Sequence, residues 1–224
     1  MKPKAIIFDM DGTIVDTEKI WKSATKLLMS HNGMHLSIQE QDILEHQLHG
    51  LAMHESCRII KEHGNLLISV EHLIAEKLKI AQQLYRSGTG ICLIPGFVQF
   101  HTLLKQHQLK TGLATNADDE TLKTTNELVD LSQFFGEHLY GISCVNNRHK
   151  PHPDIYLHAA EKLGVAPHEC IAIEDSAHGI RSAQAAGMMC IGINTHRDHR
   201  QVQHADIIVD AYEAIPLTII TGDL

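Results

Sequence analysis

The sequence lacks the features that identify several large classes of protein. No apolar run approaches the length needed to cross a membrane, and no internal repeat or low-complexity tract is present. The five cysteines are odd in number and form no CxxC pair, so a disulfide framework is not expected and a reducing compartment fits best. Acidic residues outnumber basic ones and the formal net charge is −8, which argues against a nucleic-acid or acidic-membrane partner.

The sequence also lacks a predicted signal peptide and a clear cluster of histidines. An apolar strand is predicted from Ala5, which leaves no room for a signal peptide, and we therefore expect a cytoplasmic location. The 18 histidines are scattered along the chain, whereas a metal site would concentrate them at fixed spacings. His196, His199 and His204 come nearest to such a cluster, and a zinc site there is disfavoured.

The chain does contain a series of short apolar runs, each followed by a helical pattern. This alternation predicts an α/β fold, a Rossmann-like open parallel sheet with helices on both faces. Helices are predicted at 154–163, ended by Gly164, and at 176–186, ended by Gly187. The predicted strands are Ala5–Phe8, Leu109–Ala114, Ile142–Val145, Cys170–Ile173, Met188–Ile193 and Ile207–Val209, and the cysteines at 144, 170 and 190 are expected to be small core residues.

Between residues 17 and 86 the strand-like runs largely vanish and helical periodicity replaces them. A first helix is ended by Asn32-Gly33, and Ser37-x-x-Glu40 resembles a capping box for a second. A third helix is predicted to end at His63 and a fourth to carry Val70 through Leu84. We therefore predict a core domain of residues 1–16 and 87–224 and an inserted α-helical domain of residues 17–86, with a hinge or linker at 87–90.

Polar residues follow four of the predicted strands. Asp9 and Asp11 come directly after the first strand and can share a face, where two unpaired carboxylates repel each other and favour a cation between them. Oxygen ligands of this kind suit Mg²⁺ with a phosphate opposite it. Ligands of open parallel sheets bind beyond the carboxyl ends of the strands, so all four groups are expected to converge on one crevice. The groups after the other strands are Thr115 and Asn116, Lys150, and Glu174 and Asp175.

The order of these motifs resembles that of the haloacid dehalogenase superfamily over nearly the full length of the chain. Four motifs in the correct order are far more specific than one pair of aspartates. The helical insert is similar to the cap of the branch that includes β-phosphoglucomutase, phosphoglycolate phosphatase and sugar-phosphate phosphatases. The resemblance is carried by Asp9-Met10-Asp11-Gly12-Thr13, Thr115-Asn116, Lys150-Pro151-x-Pro153-Asp154 and Glu174-Asp175-Ser176-x-x-Gly179.

The resemblance implies a role for each motif residue. Asp9 would be the nucleophile that forms an aspartyl-phosphate, and Asp11 would protonate the leaving group and then deprotonate water. Lys150 would neutralise phosphoryl charge and keep Asp9 ionised. Thr115 and Asn116 would donate hydrogen bonds to the phosphoryl oxygens.

The same resemblance implies a magnesium site. Mg²⁺ would bind the carboxylate of Asp9, the backbone carbonyl of Asp11 and the carboxylate of Asp175. Glu174 would lie in the inner or the outer coordination shell.

Each of these residues also has a purely structural interpretation. Asp11 could cap a turn, and Lys150 could be a solvated surface lysine. Thr115-Asn116 could be a helix N-cap, and Glu174-Asp175 could be acids that complement a helix dipole.

The expected function is a Mg²⁺-dependent phosphatase of small phosphomonoesters, with sugar or polyol phosphates favoured. Asp11 argues against a dehalogenase or a phosphonatase, which lack a second aspartate there. β-Phosphoglucomutases resemble one another in a histidine after the first motif and an arginine beyond a cap glycine, where this chain has Trp21 and Met53. The candidate substrate residues of the cap are Trp21, Gly50, Leu51, Met53 and His54.

Three alternatives remain open from the sequence. The first is a phosphosugar mutase, and the second is a phosphatase of phosphoglycolate or nucleoside monophosphates. The third is a binding module without activity, which would be indicated by a missing nucleophile, acid or metal carboxylate, and none of these is missing. We expect a monomer that acts on a small phosphate ester.

Overall fold

The computed structural model describes residues 2–48, 53–87 and 90–222. The chain divides into two compact units, of which one comprises residues 1–16 and 91–224 and the other comprises residues 17–90. No helix of the described residues is both long and apolar enough to span a membrane.

The described residues of the first unit form eight strands. Six of them form one sheet of order β5-β4-β1-β6-β7-β8 in which all pairs are parallel, and β2 and β3 form a separate antiparallel pair. The prediction of an open parallel α/β sheet is therefore confirmed. The strands are β1 (Ala5–Phe8), β2 (Val15–Asp16), β3 (Cys92–Leu93), β4 (Lys110–Ala114), β5 (Leu139–Tyr140), β6 (Cys170–Glu174), β7 (Met189–Ile193) and β8 (Ile207–Val209).

Helices follow most of the strands. Of the eleven α-helices of the described residues, the first four belong to the unit of residues 17–90 and the last seven to the sheet unit. They are α1 (Glu18–His31), α2 (Ile38–Leu48), α3 (Met53–His63), α4 (Val70–Arg86), α5 (Phe97–Gln106), α6 (Asp119–Val129), α7 (Ser132–Phe135), α8 (Asp154–Leu163), α9 (Ala177–Ala185), α10 (His199–Val202) and α11 (Leu217–Thr221).

The central strand β1 is buried on both faces. Alternation places Ile6 and Phe8 in one hydrophobic cluster and Ala5 and Ile7 in another. The Phe8 ring meets the ring of Phe97 edge-to-face at 5.6 Å. Because β1 pairs with β4 on one side and with β6 on the other, it has no free edge, and the residues that follow it are held at the carboxyl end of the sheet.

Two helices of the sheet unit end as their sequences predict. Helix α8 ends at Gly164, which has a left-handed backbone, and α9 begins after Ser176, whose side chain accepts a hydrogen bond from Gly179 N. Gly187, which follows α9, also has a positive φ, of 80°. These helix boundaries are set by local chemistry that the sequence displays.

One predicted strand is wrong. Residues Ile142–Val145 form a 3-10 helix, and the strand beside β4 is the shorter β5. Ile142 N donates to Ala117 O instead of joining a sheet ladder, and a left-handed Asn146 ends the turn. Cys144 is consequently exposed, whereas Cys170 and Cys190 are buried in strands as expected.

The pair β2 and β3, which the sequence did not predict, lies at the two ends of the helical segment. Val15 pairs with Leu93 and Asp16 with Cys92. The chain therefore leaves the sheet unit and returns to it through neighbouring antiparallel segments.

The second unit contains α1 to α4. The predicted capping box is present, because Ser37 N donates to Glu40 Oε2 at 2.8 Å and Glu40 N donates to Ser37 Oγ at 3.3 Å. The four predicted helices are present, and Lys77 lies among the buried residues of α4. That this unit acts as a cap stays a prediction, and residues 88 and 89 of the predicted hinge lie outside the described residues.

Candidate active site

The register of the sheet brings the motif residues together. Phe8 is paired with Leu113 on one side and with Ile173 on the other, so the residues after β1, β4 and β6 emerge side by side. Asp9 N continues the ladder by donating to Ile173 O at 3.0 Å. The sequence separations are large, but the carboxyl ends of parallel strands meet at one edge.

Lys150 connects these strand ends. Its Nζ donates to Asp9 Oδ1 at 2.6 Å, to Glu174 Oε1 at 2.7 Å and to Ala114 O at 2.9 Å. Its side chain is only 3% exposed, these three contacts match the three hydrogens of an ammonium group, and the Tyr156 hydroxyl lies farther from Nζ, at 3.4 Å. Burial alone lowers the pKa of a lysine, yet the carboxylates of Asp9 and Glu174 raise the pKa of Lys150 above its ordinary value. Lys150 is therefore a fixed positive charge directed at Asp9, which excludes its interpretation as a solvated surface lysine.

Glu174 is fully buried and accepts hydrogen bonds at both carboxylate oxygens. Oε1 accepts from Lys150 Nζ at 2.7 Å and from Tyr156 OH at 2.9 Å. Oε2 accepts from the backbone N and the Oγ of Ser176, at 3.3 and 3.0 Å. A carboxylate offers about four lone-pair positions, so protein donors use the full capacity of this group.

The lack of space beside Gly179 explains why the fourth motif ends in glycine. A Cβ atom added at this position would lie 1.7 Å from Glu174 Oε1 and 1.9 Å from its Cδ. The carboxylate therefore packs directly against the backbone of α9, and any larger residue would displace it.

Three carboxylates form a group that can hold a metal ion. One oxygen each from Asp9, Glu174 and Asp175 lie within 4.8 Å of one another. Burial, opposed by Lys150 and assisted by Glu174 and Asp11, raises the pKa of Asp9 to about 8. Burial and the neighbouring carboxylates of Asp9, Glu174 and Asp11 raise the pKa of Asp175 well above its usual range. One ammonium does not balance these acids, so the donor set fits a divalent cation with oxygen ligands.

The Asp175 carboxylate is enclosed by the loop after β1 and by the residue His196. Thr13 Oγ1 donates to Asp175 Oδ1 at 3.4 Å, and His196 Nε2 lies 3.5 Å from Asp175 Oδ2. A Cβ atom at Gly12 would lie 2.1 Å from Asp175 Oδ2, and Gly12 has a φ of +77°. Glycine is therefore required at this position for both space and backbone conformation.

Sequence reasoning missed the position of His196 and the contact of Tyr156. The sequence suggests His196 only as part of a disfavoured zinc cluster. His196 follows β7, however, and a polar residue after the end of a fifth strand is the signal that could have indicated its place in the site. Tyr156 lies in the first turn of α8, and nothing in its spacing indicates a contact with Glu174.

The pair after β4 is placed by hydrogen bonds to the backbone. Thr115 is buried, and its Oγ1 accepts from Ala117 N at 3.0 Å. Asn116 Oδ1 accepts from Lys150 N at 2.9 Å and so holds the loop that carries the lysine. Neither is the N-cap of α6, because Asp118 accepts from Thr121 N, so that alternative is wrong.

The remaining predicted residues are placed as follows. Asp11 is half-buried, and its charge raises the pKa values of Asp9 and Asp175, which places it near both. In the helical unit, Trp21 is a half-buried residue of α1, and half-buried Met53 and exposed His54 begin α3. Gly50 and Leu51 lie outside the described residues.

A family model described as haloacid dehalogenase-like hydrolase matches residues 6–193. The chain belongs to this family. The match includes every motif residue of the site, and the predicted resemblance to the haloacid dehalogenase superfamily is confirmed. The prediction of an enzyme is likewise confirmed, since this is a family of hydrolases that includes phosphatases among the relatives of this chain.

Two relatives and one solved structure illustrate the similarity of this hydrolase to other members. Hexitol phosphatase A of Escherichia coli is 27% identical over 97% of this chain and 95% of its own. β-Phosphoglucomutase of Bacillus subtilis is 31% identical, covering 85% of this chain and 83% of its own. The crystal structure of a conserved haloacid dehalogenase-like protein from Agrobacterium tumefaciens superposes with a TM-score of 0.78 and 26% identity, covering 99% of each chain.

Proposed function

We propose that this hydrolase is a Mg²⁺-dependent phosphatase of small phosphomonoesters, with sugar or polyol phosphates as the favoured substrates, and that it acts through an aspartyl-phosphate. The observation that carries the proposal is the buried ammonium of Lys150 between Asp9 and Glu174, at the edge of a group of carboxylates. A nucleophilic carboxylate, a fixed cation and a metal-binding acid pair are the components that phosphoryl transfer requires.

Lys150 prepares Asp9 for nucleophilic attack. Burial favours the protonated acid, whereas the charge of Lys150 and its hydrogen bond favour the carboxylate. The hydrogen bond at 2.6 Å also fixes the orientation of the Asp9 side chain. Attack by Asp9 on the phosphorus breaks the ester bond, and Asp11 gives its proton to the departing alkoxide. Asp11 then takes a proton from the water that hydrolyses the aspartyl-phosphate.

Thr115 and Asn116 are oriented to donate to the transferring phosphoryl group. Because Thr115 Oγ1 accepts from Ala117 N, its hydroxyl hydrogen remains for another acceptor. Because Asn116 Oδ1 accepts from Lys150 N, the orientation of the amide is fixed and its NH₂ group is left as the donor. Donors of this kind stabilise the charge on phosphoryl oxygens.

The residues that would hold Mg²⁺ are Asp9 and Asp175 through their carboxylates and Asp11 through its backbone carbonyl. When bound, the ion screens the approach of an anionic phosphate to an anionic nucleophile. We assign Glu174 to the outer coordination shell, because four protein donors already use its lone pairs. Its role is to hold Lys150 in place.

The substrate class is supported by the relatives. A hexitol phosphatase matches 97% of the chain and a β-phosphoglucomutase matches 85% of it. The mutase is the second candidate, since its identity of 31% is comparable. Trp21 and Met53 stand where the mutases carry a histidine and an arginine, which favours hydrolysis over return of the phosphoryl group to a second hydroxyl.

The reaction is tested by Asp9→Asn. Hydrolysis of an aryl phosphate with Mg²⁺ is expected to fall by at least about 1000-fold, because an amide cannot form the covalent intermediate. The matched control is Asp130→Asn, the same chemical change at a left-handed position outside the site, which should retain activity. Full turnover by Asp9→Asn would refute the mechanism.

A panel of phosphate esters tests the substrate class. Hexitol phosphates, hexose 6-phosphates, phosphoglycolate and nucleoside monophosphates are incubated with the enzyme, and phosphate release is measured. A hexose 1-phosphate separates the two candidates, because a phosphatase releases inorganic phosphate from it and a mutase yields an isomeric sugar phosphate. Isomerisation without phosphate release would show that the mutase assignment is correct.

A further inference from the structure

A concave region lies at the opposite end of the sheet from the acids. It has a volume of about 550 Å³, and its lining includes Lys110, the first residue of β4, and His138, which precedes β5. The catalytic residues follow the other end of these strands. Five residues of β4 separate the two ends by roughly 16 Å, so the two regions are distinct.

The charge of this region is opposite to that of the protein. Lys105, Lys110 and Lys162 line it, and none of its described lining residues carries a carboxylate. The whole chain has 27 acidic and 19 basic residues. A concentration of ammonium groups in a concave surface of an acidic protein creates a local positive potential.

The lysines retain donors for a ligand. Lys110 Nζ donates to Leu163 O at 2.6 Å, and Lys105 Nζ donates to Gln133 O at 3.3 Å. An ammonium has three hydrogens, so each of these groups keeps donors beyond its backbone contact. Lys105 and Lys162 lie in the last turns of α5 and α8, where they also complement the helix dipoles. The helix dipoles explain why lysine is favourable at positions 105 and 162. They do not explain why these two lysines and Lys110 surround one cavity.

The lining is completed by neutral polar residues and by the apolar residues Phe134, Phe135 and Leu163. Gln133 and His138 lie beside the lysines with an amide and an imidazole, whereas the Ser132 hydroxyl already donates to Asn126 Oδ1 at 2.9 Å. This combination of cations and neutral polar groups matches the oxygens of a phosphorylated compound. A volume near 550 Å³ is within the range of sites for small molecules, and a concave shape favours such a ligand over an extended polyanion.

We propose that this region, the basic cavity, is a second binding site for a small phosphorylated anion that carries at least two negative charges. The proposal does not depend on the phosphatase reaction. It predicts that phosphate compounds bind this hydrolase at a place where they are not cleaved.

Lysine footprinting tests the proposal on the intact protein. The probe is inorganic tripolyphosphate in EDTA buffer, and the rate of acylation of each lysine is read by mass spectrometry. Labelling of Lys105, Lys110 and Lys162 is expected to fall at least about fivefold at saturation. Lys123, whose side chain is 77% exposed on α6, is the internal control and should not change. Absence of protection, equal protection of Lys123, or the same protection by sodium chloride of equal ionic strength would each overturn the proposal.

Variants give an independent measurement by calorimetric titration with tripolyphosphate. Combined Lys105→Ala, Lys110→Ala and Lys162→Ala should weaken binding at least about tenfold and leave aryl phosphate hydrolysis unchanged. Combined Lys19→Ala, Lys79→Ala and Lys123→Ala removes the same charge elsewhere and should bind as the wild type does. The single variant Lys162→Gln keeps the backbone contacts of Lys105 and Lys110 and is therefore expected to fold. It should weaken binding of tripolyphosphate measurably, so the site can be tested even if the triple variant does not fold. Unchanged affinity in Lys162→Gln and in a folded triple variant would refute the site.

Discussion

A single ammonium group connects residues that are far apart in the chain. Lys150 and Asp9 are separated by 141 positions, and their side chains are 2.6 Å apart. The sequence indicated both residues, because each follows a predicted strand or its loop. It did not indicate Tyr156, whose hydroxyl donates to Glu174 Oε1 at 2.9 Å and whose ring centroid lies 4.8 Å from Lys150 Nζ. Tyr156 is therefore a positioning residue that acts through Glu174 and Lys150.

Tyr156→Phe removes only the hydroxyl of this contact. A hydrogen bond to a charged group is worth roughly 1.5–3 kcal/mol, so kcat is expected to fall by about tenfold or more. KM should change little, because Tyr156 reaches the reacting atoms only through other residues. Steady-state kinetics with an aryl phosphate provide the measurement.

The matched control is Tyr140→Phe, which removes a hydroxyl bonded to His138 away from the acids. Its kinetics should match those of the wild type. Equal kcat values for Tyr156→Phe and the wild type would show that the hydroxyl does not position the site.

At the scale of elements, α9 is built around the Glu174 carboxylate. Gly179→Ala would place a methyl group 1.7 Å from Glu174 Oε1, although alanine is the better helix former. We expect a loss of about 1–3 kcal/mol in the free energy of unfolding and a large loss of activity, because the displaced carboxylate releases Lys150. Denaturant titration and kinetics measure the two effects. Arg181→Ala, at an exposed position of the same helix, is the control, and a stabilised and active Gly179→Ala would contradict the packing.

Helix α4 of the helical unit carries a buried lysine. Lys77 is 6% exposed, and burial lowers its pKa while the Cys57 thiol opposes the shift. Within the described residues no carboxylate forms an ion pair with it. The folded state therefore binds fewer protons than the unfolded state between the lowered pKa and the ordinary value of about 10.4, and stability rises with pH across that window.

Lys77→Met is expected to increase the free energy of unfolding at neutral pH by on the order of 1 kcal/mol. The gain should shrink as the pH approaches 10, because the wild-type lysine then loses its charge in both states. Urea denaturation at several pH values measures this. Lys79→Met, at an exposed position of α4, should show neither effect. A stability difference between Lys77→Met and the wild type that stays constant with pH would contradict the lowered pKa of Lys77.

At the scale of the whole molecule, the excess negative charge of Asp9, Glu174 and Asp175 determines how Mg²⁺ changes the stability of the folded protein. Mg²⁺ at about 100 times its dissociation constant should stabilise the folded protein by about 2.7 kcal/mol, since the unfolded chain lacks the site. Asp175→Asn should abolish this gain and, without metal, should be at least as stable as the wild type, because one repelling carboxylate is gone. Thermal denaturation with Mg²⁺ or EDTA measures both effects. An equal Mg²⁺ shift in Asp175→Asn would place the ion elsewhere.

The sequence by itself determined whatever local chemistry controls. The alternation of strands and helices, the glycine that ends α8, the capping box at Ser37 and the motif residues at the strand ends were predictable, because each depends on neighbouring residues or on a fixed period. The tertiary structure alone decided which short apolar segment joins the sheet. Ile142–Val145 is as apolar as a strand, but β4 offers its pairing positions to Leu139 and Tyr140.

The contacts of Tyr156, the place of His196 beside Asp175 and the burial of Lys77 were likewise decided only by tertiary structure. Each depends on side chains brought together from different elements. Contacts between residues that are distant in the chain produce no characteristic period or spacing in the sequence. The basic cavity has the same origin, since its lysines come from two helices and a strand and acquire a common function only when the sheet forms.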